Sequence, residues 1–227
     1  MTDEEKIREI NQNLKGYYGE PDKIEAESGV HMLVETILSQ NTNDVNRDKA
    51  FQNLLKKYED WSQVENAPRE ELIDTIRVAG LGPTKADRIQ NALTIVREEE
   101  LSGEGEYSVD FLEEMSVEEA KDWLTKIPGI GPKTAAVILC FQYKMPVIPV
   151  DTHVHRVSKR LGLIPQSASR KKAHEILEEK VPDDIKFEFH VLLIEHGREH
   201  CSARNPTCED GPLADMCKCE HCNGEKA

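Results

Sequence analysis

The chain has 227 residues, 38% of them hydrophobic, and a formal net charge of −14, a length that suits one large domain or two small ones with a sizeable core. No run approaches the ~20 apolar residues a membrane span requires and no charged-then-apolar leader follows Met1, which argues against membrane and secreted classes and for a soluble, cytoplasmic, monomeric protein. The acidic total counts at first against nucleic acid too, because phosphate binding runs on Lys and Arg.

Taken in chain order, helical periodicity dominates. A stripe over Ile7 to Tyr17 opens the chain, and "GVHMLVETILSQ" follows, where Val30, Leu33, Val34, Ile37 and Leu38 recur at the spacing of one helix face. Similar stripes run over Ala50 to Tyr58, Leu72 to Val78, Ala86 to Val96, Val117 to Ile127, Thr134 to Phe141, Thr152 to Leu161, Ala173 to Val181 and Phe187 to His196. Roughly ten helices are expected, joined by Gly, Pro and Asp turns, with alternating strand patterns nearly absent. The fold class is therefore all-α. "LSGEGEY" (Leu101 to Tyr107) reads as an exposed acidic loop, and Cys140, inside "AAVILCF", as an inert core residue.

Charge is distributed unevenly along these elements. Residues 97–122 hold eleven acidic side chains against two basic ones, whereas residues 126–160 hold six basic side chains against Asp151 alone. A basic face on an acidic body is compatible with DNA.

"LTKIPGIGPKTAAVIL" (Leu124 to Leu139) reads as a helix-hairpin-helix: Pro128 breaks the first helix, Gly129 and Gly131 give the turn its freedom, and Pro132 suits the first turn of the second. Glycines without side chains let backbone N–H groups and a helix N-terminus meet a phosphate at close range. "AGLGPTKADRI" (Ala79 to Ile89) shares the Gly-apolar-Gly-Pro pattern, which suggests a second, similar turn. Lys133 lies just inside the second hairpin helix, and Asp151 of "PVIPVDTHVHRVSKRLG" is placed to cap the helix beginning at Thr152. A lysine at such a turn can simply add charge for DNA. If lysine and carboxylate share a cleft, they make a nucleophile pair; lowering an amine from ~10.4 toward ~8 takes about 3 kcal/mol of environment. Asp44 reads as an N-cap for a helix beginning near Val45.

Together, "IPGIGPKTA", "VDTHVHRV" and the tail "HGREHCSARNPTC", in that order, resemble the endonuclease III family of helix-hairpin-helix DNA glycosylases, over nearly the whole chain. The "SQNT" form and the acidic insertion look like the archaeal branch. The resemblance implies two helical lobes flanking a DNA-binding groove: residues 23–133 as a six-helix lobe ending in the hairpin, residues 1–22 with 134–200 as a second lobe, and 201–222 as a cysteine-rich metal loop. It also implies a base-excision-repair glycosylase and AP lyase that flips a damaged, oxidised pyrimidine out of duplex DNA, attacks C1′ with Lys133, and uses Asp151 to stabilise charge and move protons. Gly129 and Gly131 would hold phosphate, Gln40 and Asn41 would fill the space left by the flipped base, Leu81 would wedge into the opposite strand, and His153 and Arg156 would touch phosphate. A mismatch glycosylase acting on T or U opposite G, or a non-catalytic DNA-binding protein, are the alternatives.

Five of the six cysteines fall between Cys201 and Cys222, a clustering that in a non-secreted chain favours metal over disulfide. The family pattern, Cys-x6-Cys-x2-Cys-x5-Cys around a [4Fe-4S] cluster, is met at Cys201, Cys208 and Cys217, but its third position is Gly211. Three readings stand: Cys219 or Cys222 completes four thiolates; the loop binds zinc, with His221 or His200 taking part; or no metal is held.

Overall fold

The computed structural model describes residues 2–22, 27–99 and 107–217. The expected acidic loop lies outside these residues except for Tyr107, as do Cys219, His221 and Cys222. The described residues form eleven α-helices and no strand: α1 (Asp3–Tyr18), α2 (Gly29–Ser39), α3 (Asp44–Lys57), α4 (Trp61–Glu65), α5 (Arg69–Ile76), α6 (Gly82–Glu98), α7 (Val117–Lys126), α8 (Pro132–Phe141), α9 (Thr152–Arg160), α10 (Arg170–Lys180) and α11 (Lys186–Glu199). The all-α expectation holds, and none of these helices is long and apolar enough to cross a membrane. Helix α4 escapes periodicity because five residues bury only Val64.

The chain divides into two compact units, Ile24–Met145 and Met1–Lys23 with Pro146–Ala227. Hairpin helix α8 packs on α7 and α2, so the first unit runs through Met145 instead of ending at the hairpin turn near 133. Within it α2 is the buried axis: Val30, Leu33, Val34, Ile37 and Leu38 are fully covered, and α3, α6 and α8 pack against it. Short polar side chains start its helices, with Ser28 capping α2, Asn43 capping α3, Asp60 capping α4 and Ser116 forming a capping box with Glu119 on α7. Asn43, not Asp44, is the cap of α3: its side chain accepts from Asn46 N at 2.8 Å, which makes Asp44 the first helical residue.

In the second unit α11 packs against α9 and α1. Ile7, Ile10 and Leu14 of α1, Val154 and Val157 of α9, Ala173 and Leu177 of α10, and Phe189, Leu192 and Leu193 of α11 form one buried cluster. The N-terminal helix is thus bound into a core otherwise built from the last third of the chain, and Lys6 adds a bond from its Nζ to the Leu161 carbonyl.

Candidate nucleic-acid interface and cysteine loop

The hairpin of the first unit follows from three residues. Gly129 sits at φ +90°, a region closed to most side chains, and a Cβ there would come within 2.6 Å of the Arg88 side chain. Ile130 turns inward and is 4% exposed, with its N–H donating to the Ile127 carbonyl at 3.0 Å. Gly131 caps α8 without a side chain; its φ of −96° is ordinary and a Cβ there would meet open space. Its bareness serves the approach of an outside group to the free N–H groups of α8, not internal packing. Lys133 is the second residue of α8, and its side chain is exposed.

Gln40, at the end of α2, reaches this hairpin. Its Nε2 donates to the Gly129 carbonyl at 2.9 Å and its Oε1 accepts from Arg88 Nη1. Asn41 next to it has φ +54° and is exposed. Leu81 adopts a left-handed conformation at φ +52° and is 54% exposed; such geometry is costly for a non-glycine residue and gathers at functional sites. Lys85 stands between the two turns, 1% exposed, its Nζ donating at 2.7 Å both to the Leu38 carbonyl before the Gln40–Asn41 turn and to the Ala79 carbonyl before the Gly80–Leu81 turn. Burial, and then the charge of Arg88, hold its ammonium below the ordinary lysine range. A cleft of about 640 Å³ lies between these turns, lined by Asn41, Thr42, Asn43, Asn46, Val78, Ala79 and Gly80.

The two Gly-apolar-Gly-Pro turns are not alike, against expectation. In one, buried Ile130 precedes the cap Gly131; in the other, the exposed Leu81 is itself the N-cap position of α6. Lys85 and Arg88 are functional candidates that sequence reading missed. The lysine in "GPTKADRI" was visible, but nothing in its spacing shows that it joins two turns.

In the second unit Asp151 caps α9 as expected, Oδ1 accepting from Val154 N at 2.7 Å. Arg156 is spent on the protein's own backbone: its Nε donates to the Cys201 carbonyl at 2.7 Å and its Nη2 to the Gly197 carbonyl at 2.8 Å, with His153 Nδ1 at 3.0 Å from Nη2. Those bonds tie α9 to the end of α11, and they hold His153 beside Gly197, where a Cβ would come within 2.9 Å of the His153 ring.

The cysteine loop follows directly. Cys201 closes α11, its N–H donating to the His196 carbonyl at 2.8 Å, and Arg160 Nη1 lies 3.1 Å from its Sγ and 2.8 Å from the Ser202 carbonyl. Cys201, Cys208 and Cys217 are all buried; Cys208 is disulfide-bonded. Among the described residues no three His, Cys, Asp or Glu side chains converge on one point as a single metal ion would require. At Gly211 a Cβ would meet the His200 ring at 2.8 Å, so imidazole fills the space a side chain would need. His200 is 6% exposed, and neither of its ring nitrogens has a hydrogen-bond partner among the described residues. With Cys208 in a disulfide, Cys201 and Cys217 are the cysteines of the family pattern left to offer a thiolate among the described residues, so the donor set as it stands does not fit a cluster that takes four.

Known proteins share this sequence and fold. A family described as HhH-GPD superfamily base excision DNA repair protein matches residues 34–183. Endonuclease III of Thermotoga maritima is 34% identical over 215 residues, covering 95% of this chain and 92% of that protein, and endonuclease III of Sulfolobus acidocaldarius is 34% identical over 188 residues, 82% of this chain and 80% of that one. A longer Arabidopsis thaliana relative of the DNA glycosylase class is 38% identical over 174 residues, and the chain spans 58% of its length. An endonuclease III trapped as a covalent intermediate with DNA, in an estranged-adenine complex, superimposes with a TM-score of 0.81 at 29% identity, covering 98% of each chain.

Proposed function

The chain belongs to the HhH-GPD superfamily of base excision DNA repair proteins, and from that membership we propose that it is a bifunctional DNA glycosylase and AP lyase that removes oxidised pyrimidines from duplex DNA. The observation that carries the reading is Lys133: an exposed lysine in the first turn of α8, behind a hairpin whose Gly131 leaves the helix N-terminus open. The hairpin amides bind phosphate and place the strand, without reading its sequence.

With the damaged nucleotide out of the stack, the Lys133 amine, as free base, attacks C1′ while the C1′–N bond breaks and the base departs with a proton. Opening of the sugar ring gives an imine between Lys133 Nζ and C1′. Loss of a C2′ proton and of the 3′ phosphate by β-elimination cuts the strand, and water releases Lys133. Asp151, fixed by its cap on α9, stabilises positive charge on the sugar and takes up and returns protons. Gln40, Asn41 and Leu81 engage the DNA around the vacated position, on two turns whose leading carbonyls, Leu38 and Ala79, are joined by Lys85.

The superfamily relationship favours a [4Fe-4S] cluster at the cysteine loop, but Cys201, Cys208 and Cys217 would fit one only after the disulfide at Cys208 is reduced and a further ligand is supplied. When bound, it cross-links the loop and can carry an electron. None of the steps above passes through it.

Borohydride trapping tests the reading. Duplexes carrying one oxidised pyrimidine or one abasic site should give a covalent adduct that vanishes in Lys133→Ala. No adduct despite retained DNA binding sinks the lyase, and an adduct confined to G·T or G·U duplexes replaces the substrate class.

A further inference from the structure

We propose that Arg88 is a positioning residue for Gln40, holding its side-chain amide in a single orientation so that Gln40 meets the DNA already set for the space left by the flipped nucleotide. The inference rests on the DNA role given to Gln40 above and goes beyond it in assigning what keeps that side chain ready.

Three observations, all within Ile24–Met145, point to Arg88. First, the two poles of the Gln40 amide face partners that cannot be exchanged. Its Nε2 donates to the Gly129 carbonyl at 2.9 Å, and its Oε1 accepts from Arg88 Nη1. A guanidinium only donates and a carbonyl only accepts, so turning the amide over would set donor against donor and acceptor against acceptor. The second N–H of Nε2 and the second lone pair of Oε1 are then left, fixed in direction, for a base edge. Second, Arg88 is anchored at the hairpin. It is half-buried, and its Cδ and Nε lie 2.6 Å from where a Cβ on Gly129 would stand, so its stem packs in the space that the glycine leaves. Third, the charge of Arg88 is uncompensated. This unit holds five arginines; Arg47, Arg69, Arg77 and Arg97 each reach a carboxylate, and even the adjacent Asp87 is turned to Arg69, at 2.6 Å. Among the described residues Arg88 pairs with no acid, and its charged neighbour is Lys85, whose ammonium it depresses. In a chain with 43 acidic residues against 29 lysines and arginines, a half-buried cation set beside a like charge does not serve stability. The bond it makes there is the one to Gln40.

Formation of the Lys133 adduct under borohydride, in single turnover, is measured on an abasic site in duplex DNA and on the same strand alone, which has no paired stack with a gap to fill. Arg88→Met keeps most of the stem and removes the donor; it should lower the duplex-to-single-strand ratio of rates about tenfold, as loss of a charged hydrogen bond implies. Gln40→Ala should lower the ratio at least as far, and the double variant no further than Gln40→Ala alone. Without DNA, the side-chain amide protons of Gln40 should exchange with water more slowly than those of exposed Gln52, a difference that Arg88→Met narrows. Losses that multiply in the double variant overturn the proposal, because Arg88 then acts on DNA by its own charge. An equal loss on both DNAs, or amide exchange at Gln40 as fast as at Gln52, overturns it as well. A Gln40→Ala ratio equal to that of the unaltered protein removes Gln40 from the interface and this proposal with it, while the single-strand adduct shows separately that the Lys133 chemistry stands. No adduct on either DNA sinks the lyase reading and this proposal together.

Discussion

The side-chain amide of Gln40 donates to the carbonyl of Gly129 at 2.9 Å, fastening the turn after α2 to the turn of the hairpin. Arg88 braces both, bonding Gln40 and filling the space beside the Gly129 Cα. Gly129→Ala therefore meets a forbidden φ and a clash together. It should cost about 1–3 kcal/mol of stability, read by urea denaturation, and weaken binding to abasic duplex. An unchanged midpoint would show that the hairpin relaxes around the methyl group.

Leu81 is strained and exposed, with little to lose on truncation. Leu81→Gly should leave the unfolding midpoint unchanged or raise it by up to ~1 kcal/mol equivalent, since it removes the left-handed penalty. Release of damaged bases should nevertheless fall at least about tenfold if the side chain props the DNA open. Equal loss of stability and activity would mark Leu81 as an ordinary packing residue.

Lys85→Met keeps most of the volume but leaves the Leu38 and Ala79 carbonyls without their buried donor. About 2–4 kcal/mol of destabilisation is expected, with the Gln40–Asn41 and Gly80–Leu81 turns gaining amide exchange in the folded state. Protection unchanged at both turns would remove Lys85 from its role as their common anchor.

Asp151→Asn separates cap from charge. Asparagine accepts the same bond from Val154 N, so stability should move by less than about 0.5 kcal/mol, while turnover should fall about 10²- to 10⁴-fold. Single-turnover kinetics beside thermal melts would show both, and a variant that loses stability and rate in proportion would assign Asp151 to the helix cap alone.

Acid should weaken the fold through His31. Burial holds its imidazole below the ordinary 6.5, against the opposing pull of Glu27, with Ser28 Oγ 2.7 Å from Nδ1 and the rings of Phe51 and Trp61 at its edges. Between the depressed value and 6.5 the unfolded chain binds the proton that the folded one resists. Stability is therefore present above 6.5 and falls as pH drops through that window. His31→Gln should flatten the slope of unfolding free energy against pH over the same range; a parallel slope would place the acid response elsewhere.

Helix positions were legible because each long helix has a continuous apolar stripe, and Asp151 was legible because a carboxylate before a periodic run is a cap. Less could be read where short-range signals coincide: Asn43 and Asp44 are both good caps, and only the bond to Asn46 separates them. Lys133 was visible through its hairpin, but charge on a helix face does not show that Arg156 also bonds backbone carbonyls 41 and 45 residues away. The packing of His200 against Gly211 was least visible of all, since it joins residues that no periodicity connects.

The first unit is one unbroken stretch, Ile24–Met145, whereas the second joins Met1–Lys23 to Pro146–Ala227. During synthesis α1 emerges first yet has no core to enter until α9 and α11 have followed it, so the uninterrupted unit is free to fold ahead of it. At ~5–20 residues per second, α1 waits on the order of ten seconds or more for its partners. Its apolar stripe of Ile7, Ile10 and Leu14 is exposed for that interval, making the nascent chain with an orphaned first helix the species most in need of a chaperone.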